Sequence, residues 1–484
     1  MAGIVVRDHF SRIIFIIAYS IEARLKMDKL KEWLLKPVDA LPLRVFRSLF
    51  GIAMMMEMIY MLSNDAVEKL VLLPKVRITY DFFEWLTPLP APLMKALPAL
   101  MLIAALLLTI GRWTRVAGLS FFIMHFYFLM LDKSYYNNHM YLYSLFGLLF
   151  ALETETKRKD GVITVPNWIW RIVQLQVLIV YFYGGIAKLN ADWIFRHEPV
   201  ISILKAPQTA WILDSNLGSL ITNTLVWGGL LYDLGVPFLL LIRRTRYIAL
   251  ILCFIFHFSN IFIFNTGESG TIGEFPLVMI ASCVLFFDPE VINKWLSKLP
   301  VNPFKPKQQP LKKKTPEKQQ AVAAAPETLL AHNPKFVMPF VFIYCAVQLL
   351  LPLRHYLVTD NVLWTAEANN FSWRMKIRSA DYTNHMWVRT EPGGPRTELH
   401  PIGFINTMQY TLISQDPIDM MKFAKAMVPV LKKRGIQDPI IEITMELGIN
   451  GRPRQLAIDS TLNLAAVPYS PWKHAEWILP QKNP

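Results

Sequence analysis

Tyr181-Phe182-Tyr183-Gly184-Gly185-Ile186-Ala187-Lys188-Leu189-Asn190-Ala191-Asp192-Trp193 closes an apolar run that begins near Trp168 and ends on a lysine. Crossing the hydrocarbon core takes roughly 20 apolar residues, and this run has that length. It also poses a chemical question. A lysine at the end of such a helix ordinarily lays its stem along lipid and sends its ammonium to the headgroups. Facing the bundle instead, it would be a desolvated amine and a usable base. The Gly184-Gly185 pair favours the second arrangement, because two glycines admit close approach by a helix or a flat ligand.

Working outward, runs of similar character occupy residues 43–62, 92–110, 116–131, 138–152, 220–242, 247–264, 275–287 and 336–353. With 168–188 they make about nine transmembrane helices. A chain of 484 residues with 53% hydrophobic and 13% aromatic content is too apolar for a soluble domain of that size. The net charge of +14 gathers in short connections between the runs, with no aromatic platform beside it, which excludes nucleic acid as a partner. Alternate connections carry the basic residues: 26–47, Arg112 and Arg115, 157–159, Arg243-Arg244 with Arg246, and 312–314. By the positive-inside rule, nine spans put the amino terminus in the cytoplasm and the carboxyl-terminal region outside, in a periplasm or an endoplasmic reticulum lumen.

The remaining segments divide accordingly. Residues 1–42 read as a cytoplasmic amphipathic segment, 43–299 as a helical bundle of eight spans holding the active site, and 335–355 as the ninth span. Residues 300–334, rich in Pro, Lys, Gln and Ala, read as a basic cytoplasmic linker. Residues 356–484 alternate in a strand-like way at 372–377, 385–390, 395–399, 440–447 and 453–458, with a turn at Asn450-Gly451 and an amphipathic helix over 417–433. The expected fold is therefore a polytopic α-helical membrane protein with a β-rich α+β domain on its outer face. Cys253, Cys283 and Cys345 show no metal-ligand or disulfide spacing, so no metal is expected.

Span direction fixes the leaflet of each ionisable residue. Lys188 ends its span on the outer side, and His139 begins its own there after Asn137 and Asn138. His257 lies eleven residues above Arg246, about 16 Å along a helix, at or beyond mid-membrane. Three groups able to move protons thus share one leaflet. His125 reads as packing. Glu57 and Asp233, in mid-span, are expected as hydrogen-bonded structural links. Trp193 and Tyr183 read first as interfacial aromatics. Arg452 and Arg454 have the charge to attract acidic peptides, although scattered surface charge is their ordinary explanation.

Leu131-Asp132-Lys133 with Asn137-Asn138-His139-Met140-Tyr141-Leu142-Tyr143, and Tyr181-Phe182 with Lys188-Leu189-Asn190-Ala191-Asp192-Trp193, resemble the most diagnostic segments of vitamin K-dependent gamma-glutamyl carboxylases. The resemblance continues through 45–51, Asp233-Leu234, His257 with Asn260, 272–275, and Trp364-Thr365 with Ser372-Trp373 and Met375. It implies an enzyme that uses vitamin K hydroquinone, as reduced menaquinone or phylloquinone, with dioxygen and carbon dioxide. Quinol oxygenation to the epoxide would be coupled to γ-carboxylation of glutamate in a peptide on the outer face. By the same resemblance Lys188 and His139 are catalytic and Asn138 and His257 hold the quinone, while Tyr183, Gly184 and Gly185 are expected beside it as an aromatic border and a close-approach surface for a flat ligand. Trp364, Thr365, Ser372 and Trp373 contact the peptide. Two departures stand out. Ala187 occupies a position where relatives carry a second lysine, and Asn369-Asn370 replaces a tyrosine and glycine linked to glutamate binding. They leave room for a quinol oxygenase without glutamate carboxylation, or for a non-enzymatic quinone or lipid carrier.

Overall fold

A computed structural model describes residues 26–158, 160–264, 273–304 and 330–482. Helices α1 (Leu41–Ser63), α2 (Ala91–Ile110) and α3 (Thr114–Leu131) lead into a shorter α4 (Asn138–Ala151). Then come α5 (Asn167–Lys188), α6 (Gly218–Leu241), α7 (Arg246–Phe264), α8 (Phe275–Ser282), α9 (Pro289–Leu296) and α10 (Pro334–Leu350). Each long helix lies within two residues of the start its apolar run predicts. Among the described residues, seven helices are long and apolar enough to cross a membrane, α10 with its 3-10 extension to Leu357, or eight if Phe275–Phe286 and Pro289–Leu296, which meet at 114°, count as one span.

The nine expected spans thus differ at two places. Helix α4 has 14 residues, about 21 Å at ~1.5 Å per residue, which falls short of the ~30 Å core. Nearly all of it is buried, Asn138 and His139 included, so its apolar run reflects enclosure by protein rather than by lipid. The run at 275–287 bends because Pro289 opens a new helix after an extended Phe287. Proposed features at 1–25, at residue 272 of the 272–275 stretch and in most of the linker lie outside the described residues.

At one end of the bundle, strands β1 (Pro37–Asp39), β2 (Thr156–Lys157) and β3 (Ile163–Pro166) form an antiparallel sheet in the order β1-β3-β2. Trp168 Nε1 donates to the Ala331 carbonyl at 2.9 Å and Arg246 bonds Asp288 at 3.4 Å, so α5, α7 and α10 all begin at this end. Arg47, buried, holds Glu153 at 2.6 Å and Glu155 at 3.0 Å there. The helix ends near the basic connections are therefore gathered together.

The sheet domain meets the opposite end. Strands β4 (Ala380–Arg389) and β6 (Ile440–Ile449) pair antiparallel from Ala380↔Ile449 to Arg389↔Ile440, flanked by β5 (Thr397–Glu398) and β7 (Gln455–Leu456). Ile441, Ile443, Met445 and Leu447 alternate onto one buried face, the period of a half-covered strand. Helices α11 (Thr407–Gln415) and α12 (Pro417–Lys433) complete the domain, and Met420, Phe423, Ala424 and Met427 of α12 fill the core beside that face. Asn450 (φ 54°) and Gly451 (φ 73°) make the hairpin turn, as two positive-φ residues in a type I′ turn require.

The expected strand at 372–377 is absent. Phe371, Trp373 and Lys376 have φ of 61°, 57° and 50°, a left-handed backbone that breaks strand pairing. Residues 366–377 instead form an irregular strap between bundle and domain.

Candidate functional site

Lys188 does not snorkel. Its residue is 6% exposed, and Nζ donates to Asp233 Oδ2 at 2.5 Å and to the Gly184 carbonyl at 3.2 Å. The Trp193 ring covers the ammonium with its centroid 5.1 Å away, a cation–π arrangement. Trp193 is itself held by Nε1 donating to the Val226 carbonyl at 2.9 Å. Asp233, expected as a structural link, is the direct partner of Lys188.

The packing of α5 on α6 explains how they meet. Tyr181, Gly184, Gly185 and Lys188 fall at i, i+3, i+4 and i+7, one face of α5. A Cβ on Gly184 would lie 3.2 Å from Asp233 Oδ2, and one on Gly185 would lie 2.8 Å from the Leu234 backbone nitrogen. The glycine pair thus brings α6 close enough for Asp233 to reach the lysine. It serves helix approach, and Met375 of the strap also reaches Gly184, its Cε 3.6 Å from the same Cβ position.

The two histidines meet around Phe275, whose ring centroid is 5.9 Å from His139 and 6.0 Å from His257. His257 Nε2 shares a 2.7 Å hydrogen bond with Tyr181 Oη, while its Nδ1 is buried without a partner among the described residues. That orphan nitrogen and the aromatic walls suit a flat ligand with polar oxygens. Asn138 is engaged by protein at both ends: Tyr136 Oη donates to its Oδ1 at 2.9 Å, and its Nδ2 donates to the Arg374 carbonyl at 3.3 Å. His125, as expected of a packing residue, bonds Ser144 Oγ at 2.8 Å and stacks on Phe121. Glu57 lies within electrostatic range of Glu274.

Other expected site residues lie elsewhere. Tyr183 turns to α10, donating to the Leu349 carbonyl at 2.5 Å, because five residues of separation put it off the Lys188 face. Trp364 sits in the domain core, 1% exposed, with Nε1 bonded to the Leu479 carbonyl at 2.7 Å. Thr365 is buried and bonds Thr359 Oγ1 and the Asn361 carbonyl. Both are packing residues in this state, with no open face for a peptide. Ser372 bonds the Asn369 carbonyl within the strap, and Trp373 stacks on Tyr141 with centroids 5.2 Å apart.

The strap itself is the part that sequence reading missed. Phe371 N donates to Tyr136 Oη, Trp373 covers Tyr141, the Arg374 carbonyl meets Asn138, and Met375 meets Gly184. Lys376 acts electrostatically on His139, and desolvation holds its amine below the ordinary lysine range. The strap thus brings an amine within electrostatic range of His139. Two apolar grooves, about 350 and 280 Å³, lie apart from all this, between α7 and the α8–α9 bend, lined by residues such as Leu250, Phe254, Phe287 and Trp295.

The family model of the HTTM domain matches residues 35–291, and that of the vitamin K-dependent gamma-carboxylase, lumenal domain, matches residues 333–484. No solved structure matches the chain. Helices α1–α8 fall within the first matched region and α10 with the sheet domain within the second, and the chain belongs to the vitamin K-dependent gamma-carboxylase family.

Proposed function

We propose that this integral membrane protein couples oxygenation of vitamin K hydroquinone to γ-carboxylation of glutamate in a peptide, with dioxygen and carbon dioxide as co-substrates. The observation that carries the reading is the buried Lys188–Asp233 pair under Trp193, in a chain of this family. An amine in hydrogen-bond contact with a carboxylate can accept a proton from a bound hydroxyl and hand one on across 2.5 Å, and such positioned proton transfer accelerates reactions by about 10²–10⁴-fold. Asp233 is then the second acceptor and Trp193 the lid that excludes water. His257, through its unpaired Nδ1, and His139 would hold the oxygens of the quinol, with Phe275 between them. When bound, the reduced quinone with dioxygen would supply a base stronger than any side chain here, which removal of a glutamate γ-proton requires. The peptide would enter from the outer face, over the strap.

One observation favours a second reading, quinol oxygenation without carboxylation. Trp364 and Thr365 are closed into the domain core, and Asn369-Asn370 stands in the stretch linked to glutamate recognition. One assay on the purified protein separates the two, measuring epoxide and labelled carboxyglutamate together from reduced vitamin K, labelled bicarbonate and a glutamyl peptide. Both products are expected. Epoxide without labelled peptide would favour the second reading, and a Lys188→Ala variant with undiminished epoxide formation would remove Lys188 from the mechanism.

A further inference from the structure

The corner that carries Trp193 is clamped by the sheet domain. Asn190 caps the short helix Ala191–Arg196, accepting from Trp193 N at 3.0 Å and donating to the Ala187 carbonyl at 2.8 Å. Asp192, next in line and 4% exposed, accepts a hydrogen bond at Oδ2 from Arg452 NH1 at 2.8 Å, while Arg452 NH2 makes an ion-pair contact with Oδ1 at 2.7 Å. Asn450 Nδ2 donates a second hydrogen bond to Asp192 Oδ2, at 2.9 Å. Asn450, fully buried, also ties the strap, accepting from Ser379 N at 2.8 Å and donating to the Ile377 carbonyl at 3.3 Å. A Cβ on Gly451 would meet Glu198 Oε1 at 2.7 Å, so the turn is seated directly on the segment after Trp193. Arg452 is thus committed to Asp192 rather than offered to an acidic peptide.

We infer that Arg452 and Asn450, at the tip of the β6–β7 hairpin, are positioning residues for Lys188, holding the Asp192–Trp193 corner so that the indole stays over the amine. The domain thereby governs the exposure of the reactive amine, and any movement of the hairpin or strap on peptide binding is transmitted to it. Asp192 is the shared element: it lies one residue from the indole and receives two hydrogen bonds and an ion-pair contact from the hairpin. Charge-assisted hydrogen bonds from two side chains to one carboxylate hold orientation as well as distance, which a lid over one amine requires. The inference rests on reading Lys188 as the reactive amine.

The test reads the amine itself. The full-length purified protein is pulsed with formaldehyde and a borane reductant, and methylation of each lysine is quantified by mass spectrometry, with the exposed Lys95 as reference. Arg452→Met is expected to raise Lys188 labelling at least about tenfold, as loss of one partner of a buried charge pair permits local opening. Lys422, which holds Asp81 and the Thr79 carbonyl at another contact between domain and bundle, should be unchanged, and Arg452→Lys should restore part of the protection. Asp192→Asn provides a second variant if Arg452→Met does not fold. Unchanged Lys188 labelling, or a parallel rise at Lys188 and Lys422, would overturn the inference, the latter because the hairpin would then merely dock the domain. Neither quinol nor peptide is present, so this result is independent of the reaction assigned above.

Discussion

Asp233 is the residue whose meaning changed most. A lone carboxylate in an apolar run must be neutral or paired, and hydropathy offers no partner for it. Its partner is the amine at the end of another helix, with both side chains nearly sealed, at 8% and 6% exposure. Removing one member of a buried pair strands the other charge, which costs about 3–5 kcal/mol, whereas replacing both by apolar groups of similar volume is often neutral. Asp233→Asn should therefore lower thermal stability substantially, and the double replacement Lys188→Met with Asp233→Leu should recover most of it. A melt of the double variant no better than that of Asp233→Asn would show that the pair is not the stabilising unit.

At the scale of elements, the depth of Lys188 follows from a length mismatch. It is the last residue of α5, yet it faces the sixteenth residue of α6, which begins at Gly218. About 22 Å of α6 thus runs past the end of α5, and the short helices Ala191–Arg196, Val200–Leu204 and Ala210–Asp214 lie along this region. A lysine at a helix end is therefore enclosed by protein. The contact depends on Gly185, since a Cβ there would meet a backbone atom that cannot step aside. Gly185→Ala should cost about 1–3 kcal/mol by overpacking, read as a lower melting temperature. Gly235→Ala, where a Cβ meets nothing within 4 Å, should be harmless. Equal effects from the two would exclude close approach of α6 as the cause.

For the whole molecule, the docking of domain on bundle is where pH should act. Asp416 caps α12, accepting from Ile418 N and Asp419 N. Burial raises its carboxyl to about 7, with the Asp419 charge adding to the rise and Lys133 and Arg378 opposing it. Lys133, from the α3–α4 turn, pairs with Asp419, so this cluster lies at the junction. A carboxyl that holds its proton more tightly when folded makes the folded state bind more protons between the two pKa values. Stability is then present at acid pH and declines as pH rises from about 4, the ordinary aspartate value, toward about 7. Asp416→Asn preserves the cap and should flatten that decline in melting temperature. A variant with the same pH profile as the parent would place the titration elsewhere.

The sequence alone determined the long helices, the change to a sheet domain, helix α12 and the Asn450-Gly451 turn. These follow from local periodicity and from turn chemistry that any short window contains. It also marked Lys188, His139 and His257 through the rarity of such groups in apolar runs, and through resemblance. Only the tertiary structure decided that Asp233 holds the lysine, that Trp193 covers it, that Tyr183 turns away, and that residues 366–377 form a strap where alternation had promised a strand. Each of these depends on segments far apart in the chain, or on a backbone bent by contacts to both bundle and domain. Hydropathy assigns a depth to a residue only if every helix begins at the same plane. In this protein α6 does not, and that offset puts the amine inside.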